Sequence, residues 1–221
     1  MSKDKQDKSI DDMINALSDD LTPVKRLGGM MRRFLPVILL CAAYAAAFVY
    51  IVLRLRLDMT DKLFEPLFIA ELSVFFGVFL SALFAALRLS VPDVLHMKLI
   101  VGVPLALSLV ALALLFMGGL GGGHWYHIHF EKMEFHHCMM DGMYLLLLPA
   151  AAVIYAVRKG ATTHPFLCGL MSALSVGAIG WIGLRLGCES DEINHLFFAH
   201  FLPFFGVVLL VCLLARKIFR W

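Results

Sequence analysis

The sequence predicts an all-α fold: a polytopic membrane bundle of six transmembrane helices, preceded by a short cytoplasmic amphipathic helix. Three observations carry that expectation. Of 221 residues, 61% are hydrophobic and 16% charged. The apolar residues gather in blocks near the roughly 20 residues needed to cross the hydrocarbon, not in the short alternating runs of a globular core. Lys and Arg, finally, are concentrated in alternate connections between the blocks. Because lipid cannot satisfy open backbone, blocks of this length are expected to close as helices.

The first element is the segment Ser9 to Leu21. At 100° per residue, Ile10, Met13, Ile14, Leu17 and Leu21 fall on one apolar arc, while Asp11, Asp12, Asn15, Ser18, Asp19 and Asp20 cover the other faces. Ser9 followed by Asp12 resembles a capping box, the early carboxylates suit the positive end of the helix dipole, and Pro23 limits continuation. A helix this short is marginal alone in water, so its apolar stripe requires a partner. An anionic inner leaflet would repel its Asp-rich face, which favours a basic protein partner over lipid. A solvated helix capping the membrane domain is the plainer alternative.

Six spans are expected at Phe34 to Leu53, Leu67 to Leu87, Leu99 to Leu120, Cys138 to Val157, Pro165 to Leu186 and His195 to Ala215. The chain thus divides into a segment 1–33 and a six-helix domain 34–221. The two tails and the second and fourth connections carry 14 Lys and Arg, against 4 in the first, third and fifth, with Arg185 inside the fifth span, so both termini are expected in the cytoplasm. Arg32 and Arg33 mimic a secretory or twin-arginine signal, but the apolar run continues to Leu53, as a retained span would. The run Gly118 to Gly123 reads as a helix stop opening the longest outer loop, and Trp181 and Trp221 as boundary anchors.

Of five cysteines, Cys41, Cys168 and Cys212 lie inside spans, where the thiol behaves as a small apolar group. Cys138 and Cys188 fall at the outer mouths of the fourth and fifth spans, on one potentially oxidising side, where a disulfide, a metal-bound pair and an unpaired state are all open. The loop before Cys138 holds His124, His127, His129, His136 and His137 with Glu131 and Glu134. It supplies ligands for a borderline or soft ion without any standard zinc spacing, so a merely His-rich polar loop competes with a metal site at His127, His129, His136 and His137. Glu65, Glu71 and Asp141 lie in or beside apolar spans, where a charge at mid-depth costs roughly 2.5–3.5 kcal/mol; each is expected near an interface, paired or protonated. No nucleotide-binding loop or nucleophile elbow is present, nor a pair of membrane histidines placed for haem, and no catalytic residue is assigned.

Several stretches, taken in order, resemble the NrsF-type membrane anti-sigma factors, a bacterial inner-membrane family with six spans. They are Asp12 to Leu27 with its Leu21-Thr-Pro23-Val-Lys-Arg26, Glu71 with Arg88-Leu-Ser-Val-Pro92, Cys138 with the span leading to Leu148-Pro149, Cys188-Glu-Ser-Asp191, and Arg220-Trp221. The resemblance covers nearly the whole chain. It implies that the N-terminal segment sequesters an extracytoplasmic-function-type sigma factor, for which the apolar stripe and its acidic flank offer Ile10, Met13, Ile14, Leu17, Leu21, Asp12, Asp19 and Asp20 as contact residues. It also implies that Cys138 and Cys188 are the family's sensor pair for heavy-metal or oxidising stress. No resident cofactor is implied beyond a transiently bound thiophilic or borderline metal ion, and no direct contact with nucleic acid. The chain departs from the family in the His-rich approach to Cys138 and at His200 to Phe204, where an aromatic Trp-Tyr pair is usual. A small metal-ion or proton transporter, with the His-rich loop as vestibule and the embedded acids as path, is the alternative of a different class.

The orientation is directly testable. Reporter fusions at Lys159 and at Glu134 are expected to read cytoplasmic and external respectively; the opposite pattern would place both cysteines inside and end the outer-sensor reading.

Overall fold

The computed structural model describes residues 3–19, 28–92, 96–121 and 135–219, and the described residues are helical with short connections. Helix α1 is Lys3–Asp19, α2 Met30–Phe48, α3 Met59–Lys62, α4 Pro66–Leu89, α5 Met97–Gly121, α6 Phe135–Arg158, α7 Pro165–Gly187, α8 Ile193–His195 and α9 Leu202–Ile218. Among the described residues two π-helical turns interrupt the pattern: Val49–Leu53 extends α2, and Leu196–Phe201 joins α8 to α9. Six segments among the described residues are long and apolar enough to cross a membrane, Met30–Leu53, Pro66–Leu89, Met97–Met117, His137–Arg158, Pro165–Gly187 and Ile193–Ile218. These are the six expected spans, within a few residues at each end.

Two boundaries differ from expectation. Helix α1 begins at Lys3 and runs through Ser9, so Ser9 is not its cap. Lys and Gln in the preceding stretch are good helix formers, and propensity there carries the helix past the local capping signal. Helix α5 likewise continues through Gly118 to Gly121. Glycine is tolerated in apolar helices because a broken backbone in lipid would leave groups unsatisfied, which outweighs its entropic cost.

Contacts between helix ends show an up-and-down arrangement. At the end near both termini, the Arg33 guanidinium of α2 donates to Ser90 Oγ after α4 at 2.8 Å and to the Ala156 carbonyl of α6 at 2.9 Å. There too the Cys168 thiol of α7 lies 3.4 Å from the Ala86 carbonyl. At the opposite end, the backbone N–H of Arg56 donates to the Leu186 carbonyl at 3.2 Å, and Cys138 meets Cys188.

Helix α7 is the axis of the bundle, packed against α4, α6 and α9, with 72% of its apolar window buried. Its sequence explains why. Gly169, Ser172, Ala173, Ser175, Ala178, Gly180 and Gly183 keep its surface low, so neighbours approach closely and gain packing contacts that lipid would not provide. A Cβ on Gly183 would stand 2.6 Å from Leu145 of α6, and one on Gly169 would stand 2.8 Å from Ala215 of α9. Helix α5, only 11% buried, packs chiefly on α4 and presents the remainder of its apolar surface outward. Cys41 and Cys168 are fully buried among these helices, and Cys212 is part-buried, in keeping with their reading as small apolar residues.

Two glycines separate tolerance from necessity. A Cβ on Gly160 would run into the backbone carbonyl of Ser90, whereas one on Gly177 would meet nothing within 4 Å. Gly160→Ala is expected to destabilise the protein by about 1–3 kcal/mol through overpacking. Gly177→Ala should be neutral or stabilise by up to about 1 kcal/mol, because glycine is costly in a helix interior. Thermal unfolding in detergent reads both; equal shifts would refute the close approach at Ser90.

Candidate functional site

Glu71 is an ionisable residue at the sixth position of an apolar helix, and only 7% of it is exposed. It is paired. Its Oε1 accepts from Trp181 Nε1 at 2.7 Å and from Arg185 Nε at 2.9 Å, and its Oε2 accepts from Arg185 Nη2 at 3.2 Å. Glu71 therefore has an intramembrane base as partner, one of the three states expected of an embedded acid. The signal was present in the sequence: Arg185 lies within an apolar stretch of the fifth span. Trp181 is likewise not a boundary anchor. It is 2% exposed, stacks on Phe75 at 5.0 Å and hydrogen-bonds the buried carboxylate, because an indole N–H inside the bundle needs an acceptor.

Arg185 extends this pair to the bundle's edge. Its Nη1 donates to Asp191 Oδ1 at 2.8 Å, while Asp191 also accepts from Arg56 at 2.9 and 3.1 Å and from Lys62 Nζ at 2.9 Å. Arg56, with its side chain fully buried, holds Asp58 through two further bonds of 2.6 and 2.9 Å; Lys62 bridges to Glu65 at 2.6 Å. Burial raises the Asp191 pKa, but hydrogen bonds from Arg56, Lys62 and Arg185 prevail and hold its carboxyl below the ordinary carboxylate range. The hydrogen bond to Asp58, then that to Asp191, keep Arg56 above its ordinary value.

The route into this network is tight. Arg54 adopts φ 62°, where the chain leaves the first span, a conformation costing a non-glycine residue about 1–3 kcal/mol. A Cβ on Gly187 would lie 2.6 Å from Leu53, so the end of the first span and the end of α7 are nearly in backbone contact. The connection 188–192 is thereby pinned from both sides.

On that pinned connection sits Cys188, 8% exposed. Its Sγ lies 3.7 Å from Cys138 Sγ at the start of α6 and 3.4 Å from His195 Nε2. No disulfide joins the two. Hydrogen bonding with Cys138 draws the Cys188 thiol below its ordinary pKa; burial opposes this, and His195 adds to it. His200 completes the group. One ligand atom from each of Cys138, Cys188, His195 and His200 lies within 4.8 Å of every other. The His195 and His200 rings stand edge to face at 5.1 Å, and His200 is edge-on to Trp181 at 5.9 Å.

The π-helical turn makes this meeting possible. Five residues along a regular α-helix turn about 140° away from the starting face. The i→i+5 bonding of Leu196–Phe201 underwinds the chain, bringing His200 to the side of His195. A sequence reading that seeks i, i+3 or i, i+4 pairs has no reason to join them, and the His-rich loop attracted the assignment instead. His127 and His129 lie outside the described residues, as does the side chain of His136; His137 is exposed at the start of α6 and does not belong to the group.

At the N-terminus, Ile10, Met13, Ile14 and Leu17 are 48%, 62%, 56% and 65% exposed, so the apolar stripe of α1 is open along its length. Asp11, Asp12 and Asp19 are exposed beside it, and Asp20 and Leu21 lie outside the described residues. Glu65 is exposed at the position preceding Pro66, and Asp141 is part-buried in the second turn of α6.

The model of a protein family described as NrsF, negative regulator of sigma F, matches residues 17–221, from the last turn of α1 to the final residue. No curated protein and no solved structure matches the chain.

The Glu71–Arg185 pair makes an asymmetric prediction. Arg185→Leu is expected to cost about 3–5 kcal/mol, since it strands a buried carboxylate, while Glu71→Leu with Arg185→Leu should recover most of that loss. Heat-induced unfolding in detergent measures both. A double variant no better than the single one would mean that the pair is not the source of the cost.

Proposed function

Because the chain belongs to the NrsF family, negative regulators of sigma F, we propose that it is a membrane-bound anti-sigma factor of the bacterial inner membrane. With both termini in the cytoplasm, it holds an extracytoplasmic-function-type sigma factor through α1. It releases that factor when a metal or an oxidant reacts at Cys138 and Cys188. The observation that carries this reading is the open apolar stripe of α1, where Ile10, Met13, Ile14 and Leu17 are about half exposed or more. A helix in water does not keep such a stripe bare without a protein to cover it. A sigma factor presents basic surfaces to nucleic acid, and the Asp residues flanking the stripe would compete for them and speed encounter.

The two ends of the molecule are joined by the helices that carry the cysteines. Helix α6 starts near Cys138 and ends by accepting the Arg33 hydrogen bond at Ala156; α7 leads from Cys168, beside the Ala86 carbonyl, to Cys188. Arg33 lies in the first turns of α2, directly after the segment that leads from α1. A change in distance between Cys138 and Cys188 therefore shifts the helices against which the base of the N-terminal segment is anchored. If the two ends are coupled at equilibrium, a bound sigma factor alters the chemistry of the thiols by the same free energy. The transporter alternative loses its main support, since Glu71 is neutralised by Arg185 and does not offer a free carboxylate to a passing cation.

Full-length protein with Leu17→Asp is expected to reach the membrane and to lose its sigma factor on co-purification, with transcription from the factor's targets raised. Removing one such buried side chain is worth roughly 1.5–3 kcal/mol, or about 10- to 150-fold in affinity. Retained binding would exclude α1 as the main contact. Cys138→Ser with Cys188→Ser should reach the membrane but no longer respond to oxidants or thiophilic metals; an unchanged response would reduce the pair to a structural role.

A further inference from the structure

We propose that Cys138, Cys188, His195 and His200 form a four-ligand site for a divalent cation of the zinc class. This inference rests on the role given above to the two cysteines and extends it, by naming the ligands and hence the chemical class of the ion. Distance is the first argument. A tetrahedral zinc site with Zn–S of about 2.3 Å and Zn–N of about 2.0–2.1 Å has edges of about 3.8 Å between sulfurs and about 3.5 Å between sulfur and nitrogen. The sulfurs here are 3.7 Å apart, and Cys188 Sγ is 3.4 Å from His195 Nε2. A disulfide requires sulfurs about 2.0 Å apart and would give the imidazoles nothing to do.

Burial is the second argument. His200 is fully buried, and neither ring nitrogen has a hydrogen-bond partner of good geometry among the described residues, although the Cys188 thiol lies within loose hydrogen-bonding reach of it. Its edge-on packing on Trp181 accounts for the ring but not for the nitrogens. Leaving a buried polar group unmatched is costly, and coordination of an ion by one nitrogen would satisfy that nitrogen. Charge is the third. A divalent ion bound by two thiolates and two neutral imidazoles is neutral as a unit, so it can lie at the edge of an apolar bundle without a counter-ion. The proton of each coordinating thiol passes to solvent on binding.

Thiolate and imidazole together select zinc-like ions over magnesium and calcium, which prefer oxygen. The donors come from the start of α6, the pinned connection after α7, and the α8 region before α9. An ion here would fasten three spans at one end.

The test uses full-length protein in detergent, reduced with a phosphine, stripped with a chelator and titrated with Co²⁺ as a spectroscopic substitute for Zn²⁺. One equivalent is expected to give the visible bands of tetrahedral Co²⁺ with a thiolate-to-metal charge-transfer band, both lost on adding Zn²⁺. His195→Gln and His200→Gln should each weaken binding at least about tenfold. His200→Phe, which keeps a ring against Trp181, should do the same, whereas His137→Ala should have no effect. Absence of the tetrahedral spectrum in the reduced protein overturns the site, as does a spectrum indifferent to both His195→Gln and His200→Gln. If that failure occurs in a protein that still co-purifies with its sigma factor, the sequestering role stands and only the metal site falls. A protein that binds Co²⁺ through all four residues yet holds no sigma factor gives the converse result.

Discussion

A carboxylate and a guanidinium placed inside an apolar bundle must find each other, and the Glu71–Arg185 pair is the constraint on which the rest of this molecule is arranged. Each charge alone would be costly at that depth. Together, with the Trp181 N–H completing the carboxylate's bonds, they lock the rotation of α4 against α7, the most intimate helix pair in the structure. Membrane helices gain little from excluding one another from lipid, so directional polar contacts of this kind decide which face meets which. The small residues along α7 let the backbones come close enough for the contact to form.

From Arg185 the same logic runs outward. Asp191 gathers Arg185, Arg56 and Lys62 at one point, tying the connection after the first span to the one after the fifth. That knot fixes the residues beside Cys188, including the carbonyl of Glu189, which accepts from Arg56 at 3.3 Å. A reactive thiol on a loose loop would meet its partner rarely. Here it is held 3.7 Å from Cys138, on a connection braced by ion pairs on one side and by the Leu53–Gly187 approach on the other. The network thus serves positioning of the thiol–imidazole group beside it, the site proposed above for an ion.

The N-terminal helix, proposed above as the partner-binding part, is built on the opposite principle. Helix α1 leaves its apolar residues exposed, and such a surface is available to a partner whose own groove supplies the burial. A rigid, satisfied end and an open, unsatisfied end suit a device in which chemistry at one place governs binding at another. The bundle between them is traversed by α6 and α7, each of which has one end near the thiols and the other near the anchorage of the first span.

The amino-acid sequence by itself determined the six spans, the amphipathic N-terminal helix and the family, because apolar block length and helical phase are local properties that no tertiary contact needs to complete. It also marked Cys138 and Cys188, through their common side and the family's pattern. It did not disclose the helix start at Lys3 or the passage of α5 through Gly118, where propensity and the membrane's demand for closed backbone override the local stop and start signals. Only the tertiary structure decided the partners: Arg185 for Glu71, buried Trp181 as a hydrogen-bond donor, and His195 with His200 beside the thiols. The physical reason is distance along the chain. Glu71 and Arg185 are 114 residues apart, and Cys138 and Cys188 are 50 apart, so their meeting depends on how α4, α6 and α7 pack. Even the two histidines, only five residues apart, meet because a π-helical turn breaks the regular period from which a sequence is read.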